Sequence, residues 1–342
     1  MMALDLPLIW AAILALAVFL YVLLDGFDLG VGILFPFAPT DADRDLMMGS
    51  VVPVWDGNQT WLVLGGGGLF AAFPAAYAAM LPALYMPIGF MLTALIFRGV
   101  SFELRGRAHG SGRRFWDQAF HWGSVVAAFA QGLVLGALVK GVEVVDGRFA
   151  GGMFDWLTPF SFVVGCALVW GYALLGATWL VIKTEGDLLA WARRAAYLPA
   201  LVTLAMMVLV GLWMALLDNA VAARWGLSWS QPDWSRLLPL APVPLLVAVV
   251  FAGLFRSLRR GATFAPYLWS VSLFLLGYVG LLYGLYPYLV PYALTFRDAA
   301  AAPDAQAFLL VGTLFLLPLI LGYTVYVYWT FRGKVRPGAG YH

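Results

Sequence analysis

Long hydrophobic runs follow one another along this chain, separated by short segments that hold most of the charged residues. A run of about 20 apolar residues, coiled as an α-helix that rises 1.5 Å per residue, matches the roughly 30 Å hydrocarbon core of a bilayer. The pattern predicts an all-α membrane protein with about nine transmembrane helices. These cover approximately residues 7–36, 49–73, 75–99, 116–138, 157–182, 195–217, 240–256, 266–288 and 307–331.

Composition supports this fold class and limits the functions open to the chain. Hydrophobic residues make up 63% of the sequence and charged residues 11%, against about 25% charged in soluble domains. We therefore expect a single membrane domain over residues 1–342, with a charged half at about 1–138 and a scaffold half at about 157–331. The net charge of +2 and the lone Cys166 argue against a nucleic-acid partner and a disulfide framework.

Positive charge alternates between successive loops and predicts an orientation. Fifteen of the 20 lysines and arginines fall on one side, which the positive-inside rule assigns to the cytoplasm. The other five are Lys140, Arg148, Arg224, Arg236 and Arg297. This distribution predicts an outer N-terminus, a cytoplasmic C-terminus and an odd number of spans. Trp225, Trp229 and Trp234 lie in an outer loop, where aromatic side chains favour the headgroup level.

Two groups of glycines lie in the first two predicted helices. Gly26, Gly30 and Gly32 lie in the first helix, and four consecutive glycines occupy residues 65–68 of the second. Small residues in lipid allow neighbouring helix backbones to approach closely. Both groups are therefore predicted to be helix contact points.

Ionisable residues inside the predicted spans are the strongest functional candidates. Asp25 and Asp28 are three residues apart and share one helix face, Asp56 begins the second helix, and Arg98 ends the third. Each buried charge costs roughly 2.5 to 3.5 kcal/mol on insertion scales, so such residues are seldom kept without a role. The cluster is a candidate cytoplasmic mouth for a proton pathway. The alternative is that these aspartates lock the first three helices together through Arg98.

The fourth helix carries a second candidate pathway. Asp117, His121, Ser124 and Gln131 fall on one face and form a polar stripe about 21 Å long. The stripe could conduct protons or simply pack between helices. No comparable buried charge is predicted in the remaining helices.

Histidine usage limits the cofactors that the chain can hold. Haem iron takes axial His, Met, Cys or Tyr ligands, and the three histidines are His109 in a loop, His121 in the fourth helix and His342 at the end. Two facing histidines within the membrane cannot be assembled from these. The sequence predicts no haem ligand and no metal site in this chain.

Four sequence blocks resemble subunit II of the cytochrome bd-type quinol oxidases. They are DGFDLGVG at 25–32, WDGNQTWL at 55–62, FRGVSFE at 97–103 and WD at 116–117. Their order and spacing match as well as their residues, and together they occupy the first 120 residues. ILFPF at 33–37 and WLVLGG at 61–66 further resemble the cyanide-insensitive branch.

The resemblance implies two four-helix bundles plus one peripheral helix, in a heterodimer within the bacterial inner membrane. Subunit I would carry two b-type haems and haem d, oxidise quinol near the outer face and reduce dioxygen to water. This chain would bind no haem, stabilise subunit I and supply a cytoplasmic proton route through Asp56, supported by Asp25, Asp28, Arg98 and Asp117. His121 rests on spacing alone. Some families of this type bind a structural quinone in subunit II, and small accessory subunits and lipid are further candidate partners.

Two other functions fit the same residues. A proton-coupled secondary transporter also uses intramembrane aspartates beside glycine-rich helices, although here only the first half is charged and interrupted. A purely structural subunit would use the four blocks for assembly alone.

Overall fold

The computed structural model describes residues 4–217, 220–228, 230–240 and 242–336, so Trp229 and His342 lie outside it. The helices are α1 (Leu6–Leu34), α2 (Asp41–Gly49), α3 (Trp55–Ala72), α4 (Pro74–Leu104), α5 (Ser111–Lys140), α6 (Pro159–Lys183), α7 (Gly186–Ala195), α8 (Tyr197–Met214), α9 (Ala220–Arg224), α10 (Trp234–Leu240), α11 (Pro242–Arg259), α12 (Ala265–Leu285) and α13 (Pro303–Thr330), with a 3-10 turn at Phe35–Phe37. Two small hairpins pair β1 (Val144–Val145) with β2 (Arg148–Phe149) and β3 (Tyr288–Val290) with β4 (Leu294–Thr295).

The all-α membrane fold class is confirmed. Within the described ranges, eight helical segments are long and apolar enough to cross a membrane. Helix α3, with 18 residues, corresponds to the remaining predicted span. Its hydropathy is lower because polar residues fill its first turns and glycines its middle.

The predicted second helix began too early. The segment before α3 forms the separate amphipathic helix α2, and turns at residues 50–54 connect the two. Pro53 lies in this connection, and the residue before a proline is driven away from helical geometry. Conversely, α4 and α5 extend past their predicted ends to Leu104 and from Ser111. An apolar run ends at the first charges, whereas the helix backbone continues into the headgroup region.

The hairpin of β1 and β2 was missed, although its signal is present in the sequence. Asp146 and Gly147 form its turn with φ of 50° and 74°. Asp-Gly is a preferred pair for a two-residue turn that needs positive φ at both positions. The hairpin closes the loop between α5 and α6.

The long helices form two groups of four with one helix at the periphery. Helices α1, α3, α4 and α5 form the first group, and α6, α8, α11 and α12 form the second. The groups meet where α1 and α5 pack against α6. Helix α13 lies against α1 and α3, and only Gln306 and Leu310 along it are buried.

Glycine contacts divide the predicted positions into two classes. A Cβ on Gly30 would overlap the backbone of Tyr172 in α6, and one on Gly32 would overlap the Ser124 side chain. By contrast, nothing lies within 4 Å of a Cβ placed on Gly66 or Gly67. The first helix therefore uses its glycines for close packing as predicted. Among the four consecutive glycines, the middle two face a space that no described residue fills.

Candidate functional site: a buried charge cluster and an exposed aspartate

Arg98 pairs with two aspartates of α1 in the interior of the first bundle. Its Nη1 donates to Asp25 Oδ1 at 2.7 Å, and its Nη2 lies 3.7 Å from Asp28 Oδ2. All three residues are fully buried. The pairing joins α1 to α4, and removing one partner of such a group typically costs about 3 to 5 kcal/mol.

Asn58 extends this cluster to two further helices. Its Nδ2 donates to Asp28 Oδ2 at 2.7 Å and to the Leu24 carbonyl at 3.1 Å. Its Oδ1 accepts a hydrogen bond of 2.9 Å from the Tyr328 hydroxyl of α13. One buried amide therefore connects α1, α3 and the peripheral helix.

The cluster has more carboxylates than cations. Two aspartates face one guanidinium, and Asp25 Oδ2, Asp28 Oδ1, Arg98 Nε and Arg98 Nη2 have no hydrogen-bond partner among the described protein atoms. A buried unpaired charge is costly, and such groups accept a proton or hydration to reduce that cost. The arrangement can therefore hold an exchangeable proton.

Asp56 lies outside this cluster. It is in the first turn of α3, it is exposed, and the described residues form no ion pair or hydrogen bond with its side chain. Thr60, Val63, Gly67 and Phe70 follow it at helical spacing and are also exposed. One face of α3 thus presents an acid followed by an uncharged strip.

Asp117 belongs to a separate ion-pair group at the end of the bundle. Arg105 Nε donates to Asp117 Oδ1 at 2.5 Å and its Nη1 to Asp45 Oδ1 at 2.6 Å, and Arg113 also donates to Asp45. The group ties α2, α4 and α5 together. Burial raises the pKa of Asp45, but hydrogen bonds from Arg105 and Arg113 outweigh it and lower that pKa below 3.8. Its contribution to stability is thus present at neutral pH and is lost only as pH falls through the lowered value.

The other members of the polar stripe make hydrogen-bond contacts with α1, with α6 or with their own helix. His121 Nδ1 lies 3.1 Å from the Gly32 carbonyl, and Ser124 donates to the carbonyl of Phe120 on its own helix. Gln131 donates to the Tyr21 hydroxyl at 2.8 Å and accepts from Tyr172 at 2.7 Å. Within the described contacts, these side chains are not hydrogen-bonded to one another.

The structure thus brings Asp25, Asp28 and Arg98 together and leaves the other predicted site residues apart from them. Asn58 and Tyr328 were missed as members of the cluster, although Asn58 lies in one of the four blocks. Lys183 was assigned to a loop but is 6% exposed, and it donates to the Phe331 and Gly333 carbonyls after α13. Charge is therefore buried in the second half as well, at the end of α6.

The fold and the cluster define a polytopic helical membrane protein whose first bundle is organised around buried ionic residues. Comparison with known protein families identifies its family. The family model for cytochrome bd terminal oxidase subunit II matches residues 6–331. The chain belongs to that family. It is therefore a subunit of an oxidoreductase complex in the bacterial inner membrane, in which subunit I is its partner.

Individual relatives agree with this assignment. Cytochrome bd-I ubiquinol oxidase subunit 2 of Escherichia coli K12 is 30% identical over 96% of this chain and 94% of its own length. Cytochrome bd ubiquinol oxidase subunit 2 of Bacillus subtilis is 27% identical over 96% of each chain. The structure of bd oxidase from Geobacillus thermodenitrificans matches with a TM-score of 0.70 at 19% identity, over 96% of this chain and 99% of that one. The transporter alternative is set aside by the family assignment.

Proposed function

We propose that this chain is the haem-free subunit of a quinol oxidase, stabilises the haem-bearing subunit I, and provides a cytoplasmic entrance for the protons consumed in dioxygen reduction. The Escherichia coli and Bacillus subtilis relatives are named as ubiquinol oxidase subunits, so ubiquinol is the proposed electron donor. The observation that carries the proton role is Asp56, an unpaired exposed acid two residues from Asn58 of the buried cluster.

Haem does not fit the described residues of this chain. His109 is exposed in the connection before α5, and His121 has its Nδ1 within hydrogen-bond distance of the Gly32 carbonyl. The two histidines do not face each other across a space between helices, so no pair of axial histidines is available. This supports the proposal that both b-type haems and haem d belong to subunit I. No quinone site is assigned in this chain.

The exposed face of α3 is the proposed contact with subunit I. Asp56 would be costly against lipid, whereas an intersubunit surface can hydrate it. The open glycines Gly66 and Gly67 permit close approach of another helix backbone. Protons would thus enter along the boundary between subunits, with Asp56 at its mouth.

The remaining candidates support this entrance. Asp25, Asp28 and Arg98 fix the helices that flank Asp56, and their unequal charges allow exchange of a proton at the cluster. Asp117 holds the end of the bundle through Arg105, and His121 remains a candidate for a second branch. In this proposal, residues 1–138 form the functional half and residues 157–331 form the scaffold half of one membrane domain.

The proposed orientation determines from which side of the membrane the proton entrance takes up protons. With the N-terminus outside and the C-terminus in the cytoplasm, the ends of α1 and α4 near the cluster face the cytoplasm. Quinol oxidation outside and proton uptake inside would charge the membrane without proton pumping. Each elementary charge moved is worth about 2.3 kcal/mol per 100 mV.

Replacing Asp56 by asparagine in the assembled complex tests the proton role. We expect normal haem spectra with slower quinol-dependent oxygen consumption, because the amide keeps the shape but cannot carry the proton. Asp187→Asn is a matched control, since Asp187 is also an exposed acid in a first helical turn. Full turnover in the Asp56→Asn complex would contradict the proton role and favour a purely structural subunit.

The subunit assignment has its own test. Mild-detergent purification through a tag on this chain should bring a haem protein with b and d bands in the reduced-minus-oxidised spectrum. Alanine at both His109 and His121 should leave those bands unchanged in amplitude per complex. Recovery of the chain alone and colourless would contradict the partnership.

A further inference from the structure

Three exposed arginines lie at the end of α11. Arg256 and Arg259 are in its last turn, and Arg260 directly follows the helix with its N–H still bonded to the Arg256 carbonyl at 3.0 Å. Arg259 and Arg260 are three and four residues from Arg256, so the three project to one side of the helix end. Like charges at this spacing are mutually destabilising. The described residues form no ion pair with any of the three, whereas Arg44, Arg98, Arg105 and Arg113 are all paired with aspartates.

The three guanidinium groups line a concave site. It has a volume of about 420 Å³, and its other lining residues are Ala252 and Phe255. Phe255 is held by stacking on Tyr197 with ring centroids 6.1 Å apart. Arg193 donates to the Gly261 carbonyl and so fixes the chain directly after the arginines.

An apolar strip leads away from this site along the same face. Leu245 and Val249 precede Ala252 and Arg256 at helical spacing, and they are 66% and 51% exposed. From Leu245 to Arg256 the helix rises about 16 Å, which is about half of the roughly 30 Å hydrocarbon core. The face therefore offers a cationic end and an apolar length equal to one leaflet.

We propose that the arginine end of α11 binds the phosphate headgroup of an anionic phospholipid, whose acyl chain lies along Leu245 and Val249. Arginine suits this ligand because its planar fork bonds two phosphate oxygens at once. The shared chemistry is a phosphate group. The adjoining apolar strip favours a lipid over free phosphate, since an inorganic ion would leave that strip unused.

The test uses the purified complex, depleted of lipid and then supplied with phosphatidylglycerol, phosphatidylcholine or inorganic phosphate. Bound lipid per complex is counted by native mass spectrometry. Arg256, Arg259 and Arg260 are changed together to glutamine, and the matched control changes Arg107, Arg114 and Arg332, which are also exposed and lie on the same side.

We expect the α11 variant to bind phosphatidylglycerol roughly a hundredfold more weakly, since each surface arginine contributes about fivefold. The control variant should keep its affinity, and phosphatidylcholine should bind weakly to both. Equal losses in the two variants would reduce the effect to general surface charge and overturn the proposal. Displacement of the lipid by inorganic phosphate at equal concentration would overturn the lipid assignment.

Ala252→Trp keeps every charge and fills the site, which guards against failure of the triple variant to assemble. Loss of phosphatidylglycerol in this variant is expected if the concavity binds the headgroup. Retention of full affinity would show that the concavity plays no part, and the proposal would fail.

Discussion

At the scale of single residues, Arg98 is the charge on which the first bundle depends. It is fully buried beside two aspartates, so it would be an uncompensated buried charge if they were lost. Pairing through Arg98 was one of two interpretations of the sequence, a helix lock beside a proton pathway, because a charge placed in lipid needs a partner. The sequence did not predict that Asp56 would face outward. Helical spacing places Asp56 and Asn58 on different sides of α3, but it does not say which side is covered.

Arg98→Met should strongly impair assembly of the complex, because it leaves two buried carboxylates with no cation. We expect a loss of about 3 to 5 kcal/mol in stability. The measurement is thermal denaturation of the complex, with the intact fraction at each temperature determined by size-exclusion chromatography. Adding Asp25→Asn and Asp28→Asn to this variant should recover much of the loss. The exposed Arg107→Gln is the control. Unchanged stability in Arg98→Met would contradict the stabilising role of the Arg98 ion pairs.

His121→Phe should slow oxygen reduction if the polar stripe of α5 conducts protons. Phenylalanine fills the space between Phe37 and Trp122, which pack edge-on against the His121 ring, but it cannot exchange a proton. Turnover of the purified complex with a quinol donor, divided by its haem content, is the measurement. Wild-type turnover with normal assembly would assign the stripe to packing.

At the scale of helices, α1 and α6 approach each other closely where Gly30 faces the backbone of Tyr172 and Gly176. The rule that small residues mark contacts in lipid predicted Gly30 correctly, because its partner lies within the same chain. The same rule did not distinguish Gly66 and Gly67, where no described residue lies within 4 Å of an added Cβ. A sequence shows where a helix can be approached closely but not by which molecule.

Gly30→Ala should destabilise the complex, since its Cβ would overlap the Tyr172 carbonyl oxygen and the backbone nitrogen of Gly176. Overpacking of this kind costs about 1 to 3 kcal/mol. Gly277→Ala in α12 is the matched control, because nothing lies within 4 Å of its added Cβ. There alanine should be neutral or favourable by up to about 1 kcal/mol from helix propensity. Equal melting temperatures for the two variants would contradict the close contact.

Helix α13 shows how a peripheral element is held mainly at its ends. At one end, Gln306 donates to the Ala72 carbonyl at 3.0 Å. At the other, Lys183 donates to carbonyls that follow α13, and Lys334 donates to the Thr184 carbonyl at 2.8 Å after α6. Each lysine thus satisfies carbonyls near the end of the other helix, where positive charge is favoured. Hydropathy predicted the span of α13. It could not predict these lysine–carbonyl hydrogen bonds, because both lysines were counted as loop charges.

At the scale of the whole molecule, contacts divide the helix ends between two sides. The ion pair of Asp5 with Arg297 and the hydrogen bond from Tyr292 to the Val139 carbonyl join ends on one side. The hydrogen bonds from Lys183 to the Gly333 carbonyl and from Lys334 to the Thr184 carbonyl join ends on the other. This division follows the alternation of positive charge along the sequence. Which side faces the cytoplasm rests on that charge alone.

Cysteine labelling of intact cells and inverted vesicles checks the orientation. In a Cys166→Ala background, Asp146→Cys places a thiol in the exposed β1–β2 turn before α6, and Glu185→Cys places one after it. Arg148 is the only positively charged residue of the hairpin. The second position is surrounded by three positive charges, Lys183, Arg193 and Arg194. An impermeant maleimide should therefore label Asp146→Cys in intact cells and Glu185→Cys only in inverted vesicles. The reverse pattern would put the buried cluster at the outer face, where Asp56 could not supply protons from the cytoplasm.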